Sequence, residues 1–315
     1  MCSFRHQLPQ LSDRPFITDG GLETTLIYKD GYDLPEFAAF VLLNDPDGLE
    51  SLRNYFRSYL SVAEKHQLGF ILDSPTYRAS QDWADKLGIS AKELDEFNQK
   101  GVSLLRELRK EFDDRIPEIV LSGCIGPQGD AYSAETGFTA QEAADYHRTQ
   151  IASLRNAHVD MITAHSIPHA AEGLGIAIAA QLEDMPVAIS FTIETDGRLP
   201  SGESLKYAIE MIDELTDFEP AYYMINCAHP THIQEILTGN EPWMDRIKAI
   251  RANASNKSHA ELDASTELDA GNPEEYGSEM SGLANLLNGL NIYGGCCGTD
   301  HRHVAATCEA LQSAI

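Results

Sequence analysis

The sequence predicts an α/β protein built as a single (β/α)₈ TIM barrel that spans residues 1–315. Short β-rich runs alternate with longer amphipathic stretches from end to end, a pattern typical of a parallel sheet with helical crossovers. Several runs, such as VAISF and GFIL, are continuously apolar, as parallel strands buried on both faces are. A doubly wound open sheet is the structural alternative, but no GxGxxG motif follows the first strand.

The individual elements follow from the spacing of apolar residues. Eight strands are predicted, at 16–19, 69–73, 118–123, 161–164, 187–192, 222–226, 246–251 and 290–293. Apolar residues recur at three- and four-residue spacing in the helical stretches 46–66, 90–112, 146–157, 169–182, 203–215 and 232–237. Eight strand signals separated by helices favour a closed barrel of ordinary size.

One long segment interrupts this alternation. Residues 253–289 are polar, acidic and poor in apolar periodicity, so we expect a long loop there after the seventh strand. It would lie on the barrel face where active sites are built. The acidic residues between Glu261 and Glu279 are expected to be solvated.

Composition excludes several classes of partner. The formal net charge of −26 repels phosphate backbones and anionic lipid, so neither nucleic acid nor a membrane is expected to bind. The first residues lack the apolar run of a signal peptide, and we expect a cytoplasmic protein. In a reducing compartment the six cysteines are more often free, catalytic or metal-bound than disulfide-paired. The oligomeric state is not predicted.

Chemically reactive groups fall at the predicted strand ends. Asp19-Gly20-Gly21 follows the first strand, Asp73-Ser74 the second, Cys124 the third and His165-Ser166 the fourth. Because the carboxyl ends of barrel strands converge on one rim, these groups are expected to become neighbours of the cysteines near the later strands.

The strongest signal is a pair of adjacent cysteines flanked by glycines, in GGCCGT (294–299). Glycine permits backbone conformations that turn both sulfurs inward, where Cys296 and Cys297 can meet Cys227 from the end of the sixth strand. Three thiolates with an open fourth position are typical of catalytic zinc, so Zn²⁺ is the expected cofactor. The alternatives are a strained vicinal disulfide or cysteines that pack as small hydrophobes.

Four motifs carry a resemblance to a known family. DGGLETTL (19–26), GCIGPQGDAY (123–132), INCAHP (225–230) and GGCCGT resemble the zinc-dependent homocysteine S-methyltransferases. The resemblance implies a (β/α)₈ barrel with one zinc ion bound by Cys227, Cys296 and Cys297. It also implies methyl transfer to homocysteine, forming methionine, from donors such as S-methylmethionine, S-adenosylmethionine or betaine.

The resemblance further implies a set of substrate contacts, namely Asp19, Gly20, Gly21, Ser74, His165 and Ser166. Much of the family has Phe-Glu-Thr-Ile-Pro after the fourth strand, and its glutamate is expected to bind the substrate ammonium. This chain has His165 at that position, and a neutral imidazole can accept one hydrogen bond from an ammonium. For Ser74 and the glycines the structural alternative is a helix cap or a tight turn.

Arg78 bears on the choice of methyl donor, and two alternative functions remain open. Betaine-using members have an aromatic residue where this chain has Arg78, and a guanidinium repels a quaternary ammonium, so a sulfonium donor is expected. One alternative is a zinc methyltransferase for another thiol or a selenol. The other is a non-enzymatic zinc- or redox-responsive thiol-binding protein.

Overall fold

Eight parallel strands close into a barrel in the computed structural model, which describes residues 4–12, 14–132, 139–263, 265 and 267–313. Strands adjacent in sequence are adjacent in the sheet, and the first strand pairs with the last through Phe16 with Ile292. The strands are β1 (Phe16–Ile17), β2 (Gly69–Asp73), β3 (Ile119–Ile125), β4 (Met161–Ile167), β5 (Val187–Thr192), β6 (Tyr222–Asn226), β7 (Ile247–Ala252) and β8 (Ile292–Gly295). The predicted (β/α)₈ barrel is confirmed.

Helices surround the barrel on its outside. The described helices are α1 (Leu22–Tyr28), α2 (Pro46–His66), α3 (Gln81–Lys86), α4 (Ala91–Phe112), α5 (Ala140–Asn156), α6 (Ala170–Leu182), α7 (Leu205–Thr216), α8 (Pro230–Ile236), α9 (His259–Asp263), α10 (Pro273–Leu283) and α11 (His301–Ser313). Within the described residues, none of them has the length and apolar character needed to cross a membrane.

The two longest helices begin where their sequences place capping residues. Asp45 accepts a hydrogen bond from Gly48 N at 2.7 Å, and Pro46 occupies the first turn of α2, where no amide donor is needed. At the start of α4, Ser90 and Glu93 form a reciprocal capping box. These caps explain why both helices start within one residue of the predicted bounds.

The barrel interior changes character from bottom to top. Its lower part is a cluster of apolar inward-facing residues: Phe16, Ile71, Val120, Met161, Ala188, Tyr222, Met224, Ala249 and Ile292. Two or four residues further along the strands the buried residues of the same face are polar: Thr18, Asp73, Ser122, Thr163, Ser190, Asn226 and Arg251. The upper half of the barrel is therefore a buried polar volume below the carboxyl-terminal rim.

The structure differs from the prediction in the bounds of several strands and in the polar segment. Strand β1 ends two residues before its predicted end, and β8 begins and ends two residues later than predicted. Strands β3 and β4 continue past their predicted ends, so Cys124, His165 and Ser166 lie within strands and not after them. Part of residues 253–289 is helical, because α10 buries Tyr276 and Met280 at a four-residue spacing. The prediction of a loop throughout this segment is wrong for α9 and α10.

The outer core can be tested at β5. Ile189 is fully buried between strands and helices, so Ile189→Ala should lower the free energy of unfolding by about 2–5 kcal/mol. Urea unfolding followed by circular dichroism measures the change. Leu215→Ala is the control, since Leu215 is 63% exposed on α7 and should change stability by less than about 0.5 kcal/mol. Equal losses in the two variants would contradict this packing.

Candidate active site

Three cysteine side chains meet at the carboxyl-terminal rim of the barrel. Cys227 directly follows β6, and Cys296 and Cys297 directly follow β8. Their sulfur atoms all lie within 4.8 Å of one another, and Cys227 Sγ is 2.7 Å from Cys296 Sγ. We call these three residues the cysteine cluster. Among the described residues it is the only group of three or more His, Cys, Asp or Glu side chains arranged to hold a metal ion.

A left-handed backbone conformation aims Cys227 at its partners. Its φ is 59°, a region that costs a non-glycine residue about 1–2 kcal/mol. Hydrogen bonds hold this turn: Cys227 N donates to Arg251 O at 3.2 Å, and Asn253 Nδ2 donates to Cys227 O at 2.9 Å. His259 Nε2 also donates to Cys227 O. The strained turn persists because several contacts oppose its relaxation.

Glycines allow the second half of the cluster to pack closely. Gly298 has a φ of 79°, the positive value that the sequence analysis expected beside the cysteine pair. Gly295 serves a different purpose, because a Cβ there would lie 2.1 Å from Thr299 Oγ1. Thr299 in turn donates from Oγ1 to Cys296 O at 2.7 Å and fixes the turn.

Polar neighbours orient Cys227 and favour its thiolate. Asn226 Nδ2 donates to Cys227 Sγ at 3.0 Å and to Ser166 Oγ at 2.6 Å, while Asn226 Oδ1 accepts from Ser190 Oγ at 2.6 Å. Hydrogen bonds from the Cys296 and Cys297 thiols lower the pKa of Cys227 well below its ordinary value. Asn226 therefore has the structural, orienting role that its position beside a cysteine suggests.

The donor set fits zinc. Three thiols are soft ligands that suit zinc better than magnesium or calcium. No fourth protein ligand joins them within the described residues. Structural zinc sites have four protein ligands, whereas catalytic sites have three and leave one position open. The cluster is thus compatible with a catalytic metal.

A cavity of about 100 Å³, which we call the inner chamber, opens beside the cluster inside the barrel. All nine site residues expected from the sequence line it: Asp19, Gly20, Gly21, Ser74, His165, Ser166, Cys227, Cys296 and Cys297. Two of these residues have a polar group that already hydrogen-bonds within the protein, so this group is less available to a substrate than expected. Gly21 N already donates to Thr299 O at 3.2 Å, and Ser74 Oγ accepts from Cys124 N at 3.0 Å.

Three charged residues that the sequence did not assign to the substrate contacts line the same chamber: Glu23, Asp73 and Arg251. Asp73 was expected only as part of a strand-end motif. Asp73 is the last residue of β2, and Arg251 lies in β7. Arg251 Nη1 donates to Asp73 Oδ2 at 3.0 Å, and Arg251 Nη2 lies 2.7 Å from Asp19 Oδ1. The available signal was strand alternation, since positions 73 and 251 follow the inward-facing Ile71 and Ala249 by two residues.

The inner chamber is electrostatically negative. Burial raises the pKa of Asp19, although Arg251 opposes the rise. Burial would also raise the pKa of Asp73, but hydrogen bonding to His165 and the charge of Arg251 outweigh it and hold that pKa below its ordinary value. Burial raises the pKa of Glu23 to about 7, with a further contribution from Asp19. One guanidinium therefore faces two buried aspartates, and the chamber favours a cation.

A second cavity of about 310 Å³, the outer chamber, adjoins the first at Cys297. Both cavities are lined by Thr24, Phe37, Tyr77, Tyr132 and Cys297. Asp130, Glu267 and Asp269 supply carboxylates to the outer chamber. Arg78 lies on its wall with its guanidinium 3.9 Å from the ring centroid of Trp83 and donates to Gly129 O at 2.7 Å. Residues of the acidic segment thus contribute to the outer wall.

The remaining described cysteines and the histidines of the run DHRH (300–303) lie outside the cluster. Cys124 and Cys308 are buried free thiols, and Cys2 lies outside the described residues. His303 is fully buried. It hydrogen-bonds Asp300 at 3.2 Å near the start of α11.

Comparisons with known proteins agree with the fold and the motifs. The chain is 23% identical to homocysteine S-methyltransferase 1 of Brassica oleracea var. italica, over 94% of this chain and 93% of that protein. It is also 23% identical to a selenocysteine methyltransferase of Astragalus bisulcatus, over 98% and 95% of the two chains.

A solved structure shows the same fold. The oxidized form of the homocysteine methyltransferase MmuM from Escherichia coli superposes with a TM-score of 0.71 at 19% identity, over 95% of this chain and 97% of that one. The model of the homocysteine S-methyltransferase family matches residues 16–311, nearly the whole sequence. The chain is therefore a methyltransferase that belongs to the homocysteine S-methyltransferase family.

Proposed function

We propose that this single barrel domain transfers a methyl group from a sulfonium donor, S-methylmethionine or S-adenosylmethionine, to the thiolate of homocysteine, giving methionine. The observation that carries the proposal is the convergence of three thiols within 4.8 Å at the junction of two chambers. Membership in the homocysteine S-methyltransferase family supports the acceptor.

In this proposal Cys227, Cys296 and Cys297 hold one zinc ion. Bound zinc supplies the means of keeping the acceptor thiol deprotonated at neutral pH, where a free thiol with a pKa near 8.5 is mostly protonated. Asn226 and Ser166 keep the Cys227 sulfur oriented through contacts of 3.0 and 3.6 Å. Their hydrogen bonds restrain the ligand before substrate arrives.

The two chambers separate the reactants. The acceptor occupies the inner chamber and the donor the outer one, and they meet beside Cys297. The acceptor thiolate attacks the methyl carbon in line; the new sulfur–carbon bond forms as the bond to the sulfonium breaks. The electron pair stays on the donor sulfur, which leaves as a neutral thioether. Phe37, Tyr77 and Tyr132 line both chambers, limit the access of water and position the reactants.

Charge on the chamber walls favours a sulfonium over betaine. The carboxylates of Asp130, Glu267 and Asp269 attract a cationic donor. Arg78 is held against Trp83 on the same wall, where it opposes a compact quaternary ammonium. S-methylmethionine and S-adenosylmethionine carry a sulfonium and an ammonium against one carboxylate, whereas betaine carries one cationic group against one carboxylate. The carboxylates of this wall therefore attract the sulfonium donors more strongly.

A selenol is the second candidate acceptor. His165 replaces the glutamate that the family resemblance implies, and one relative is a selenocysteine methyltransferase. The same cluster and chambers suit a selenolate, which is a softer nucleophile than a thiolate. Competition between homocysteine and selenocysteine for one methyl donor decides between the two acceptors.

Metal content tests the cysteine cluster. Purified protein should contain about one zinc per chain, and Cys297→Ser should lose most of it, because removal of one of three ligands weakens the site. Mass spectrometry of metals measures the content. Cys308→Ala is the matched control, since Cys308 is buried in α11 outside the cluster and should retain the zinc. Full zinc content in Cys297→Ser would contradict the assigned ligands.

Donor selectivity tests the outer chamber. Zinc-loaded protein with homocysteine should form methionine from methyl-labelled S-methylmethionine or S-adenosylmethionine at least about 100-fold faster than from labelled betaine, a difference of about 2.7 kcal/mol in barrier. Labelled methionine is measured by mass spectrometry. Betaine as the fastest donor would refute the role given to Arg78, and no product from any donor would refute the proposed reaction.

A further inference from the structure

We propose that the Asp73 carboxylate binds the ammonium group of the acceptor. His165 and Arg251 hold this Asp73 carboxylate in position. This inference rests on the proposed function, because it names how an acceptor is recognised in the inner chamber. It restricts the acceptor to an amino thiol or amino selenol with a free ammonium group.

The two oxygens of Asp73 have different surroundings. Oδ2 accepts hydrogen bonds from His165 Nε2 at 3.1 Å and from Arg251 Nη1 at 3.0 Å. Oδ1 is buried and has no hydrogen-bond donor of good geometry among the described residues, although the Ser122 hydroxyl is close enough to help lower the pKa of this carboxyl. The Asp73 side chain lines the inner chamber. A buried carboxylate oxygen without a donor is costly, so a ligand that brings a cationic donor gains that energy on binding.

The other buried aspartate of the chamber is already engaged. Asp19 Oδ2 accepts from Tyr55 OH at 3.0 Å, and its Oδ1 lies 2.7 Å from Arg251 Nη2. An ammonium approaching Asp19 would compete with a guanidinium and a phenol. Asp19 Oδ1, like Asp73 Oδ1, accepts no hydrogen bond of good geometry from the described residues, but it lies against the guanidinium of Arg251. Besides His165 and Arg251, the group that acts on the Asp73 carboxyl as a donor is the neutral hydroxyl of Ser122, which competes with an ammonium less than a guanidinium does.

Arg251 is a positioning residue and not a receptor for the acceptor carboxylate. Its Nε donates to Gly295 O and its Nη2 to Gly20 O, both at 3.0 Å, and its Nη1 donates to Asp73. All three nitrogens therefore have acceptors within the protein. The guanidinium ties β2, the turn after β1 and the end of β8 together and fixes the Asp73 carboxylate.

The Nε2 nitrogen of His165 is also engaged within the protein. Nε2 faces Asp73 Oδ2, and a carboxylate can only accept, so this nitrogen carries the proton. Nε2 therefore cannot accept a hydrogen bond from an ammonium. Only Nδ1 of His165 can make the contact expected from the sequence, and that nitrogen carries no negative charge. The carboxylate for the ammonium is therefore supplied by β2 and not by residue 165 on β4.

The decisive comparison uses homocysteine and 4-sulfanylbutanoate, which is homocysteine without its amino group. Calorimetry of zinc-loaded wild-type protein should show homocysteine binding about 10- to 100-fold more tightly, the range expected for a charge-assisted hydrogen bond. Asp73→Asn should reduce this preference to about twofold or less while the affinity for 4-sulfanylbutanoate stays within about twofold of wild type.

Asp213→Asn is the matched control. Asp213 is also a buried aspartate, paired with Arg246 at 2.7 Å, but it lies on α7 outside the chamber, and this variant should keep the full preference. An unchanged preference in Asp73→Asn would overturn the proposal, and so would an equal loss of both ligands. A wild-type preference below about threefold overturns it without any variant.

The positioning role of His165 has its own readout. His165→Ala should reduce the preference for homocysteine about three- to tenfold, and His165→Gln, whose amide can still donate to Asp73, should restore most of it. Failure of glutamine to restore the preference contradicts this role. If wild-type protein shows the preference but forms no methionine from any donor, the methyl-transfer function fails while the assignment of Asp73 stands.

Discussion

The active site depends on the adjacent positions of β6, β7 and β8 in the barrel, because this order brings Cys227 to Cys296 and Cys297. The two segments are distant in sequence and join through β6, β7 and β8. Three thiols at this separation cannot all ionise without strong repulsion, so a cation is the natural partner of the cluster. The left-handed turn at Cys227 adds strain, and the hydrogen bonds from neighbouring strand ends offset it.

The polar upper half of the barrel is a compromise between stability and function. Apolar side chains fill the lower half, as in an ordinary core. Above them Asp73, Asp19 and Arg251 bury charge, which stabilises a fold less than apolar packing would. The large apolar cluster between strands and helices supplies the stability that these buried charges do not.

Local signals explain how much the sequence could reveal. The bounds of β2, β5, β6 and α2 follow from apolar runs, a proline and a capping aspartate, and the structure reproduces them. The rim motifs were predictable because strand ends converge in any barrel. The contacts among Asp73, His165 and Arg251 were not, since they join three strands and depend on barrel stagger. Helix α10 was missed because its polar residues hide the spacing of Tyr276 and Met280.

The same geometry supports the proposal that Asp73 on β2 takes the role of the glutamate that the family resemblance implies at residue 165. Residue 165 on β4 and residue 73 on β2 face the same volume, and their side chains are in direct contact at 3.1 Å. A carboxylate on residue 73 therefore places its negative charge close to where a carboxylate on residue 165 would place it. Histidine at 165 then becomes the hydrogen-bond donor that the relocated carboxylate requires, and Arg251 limits the excess negative charge.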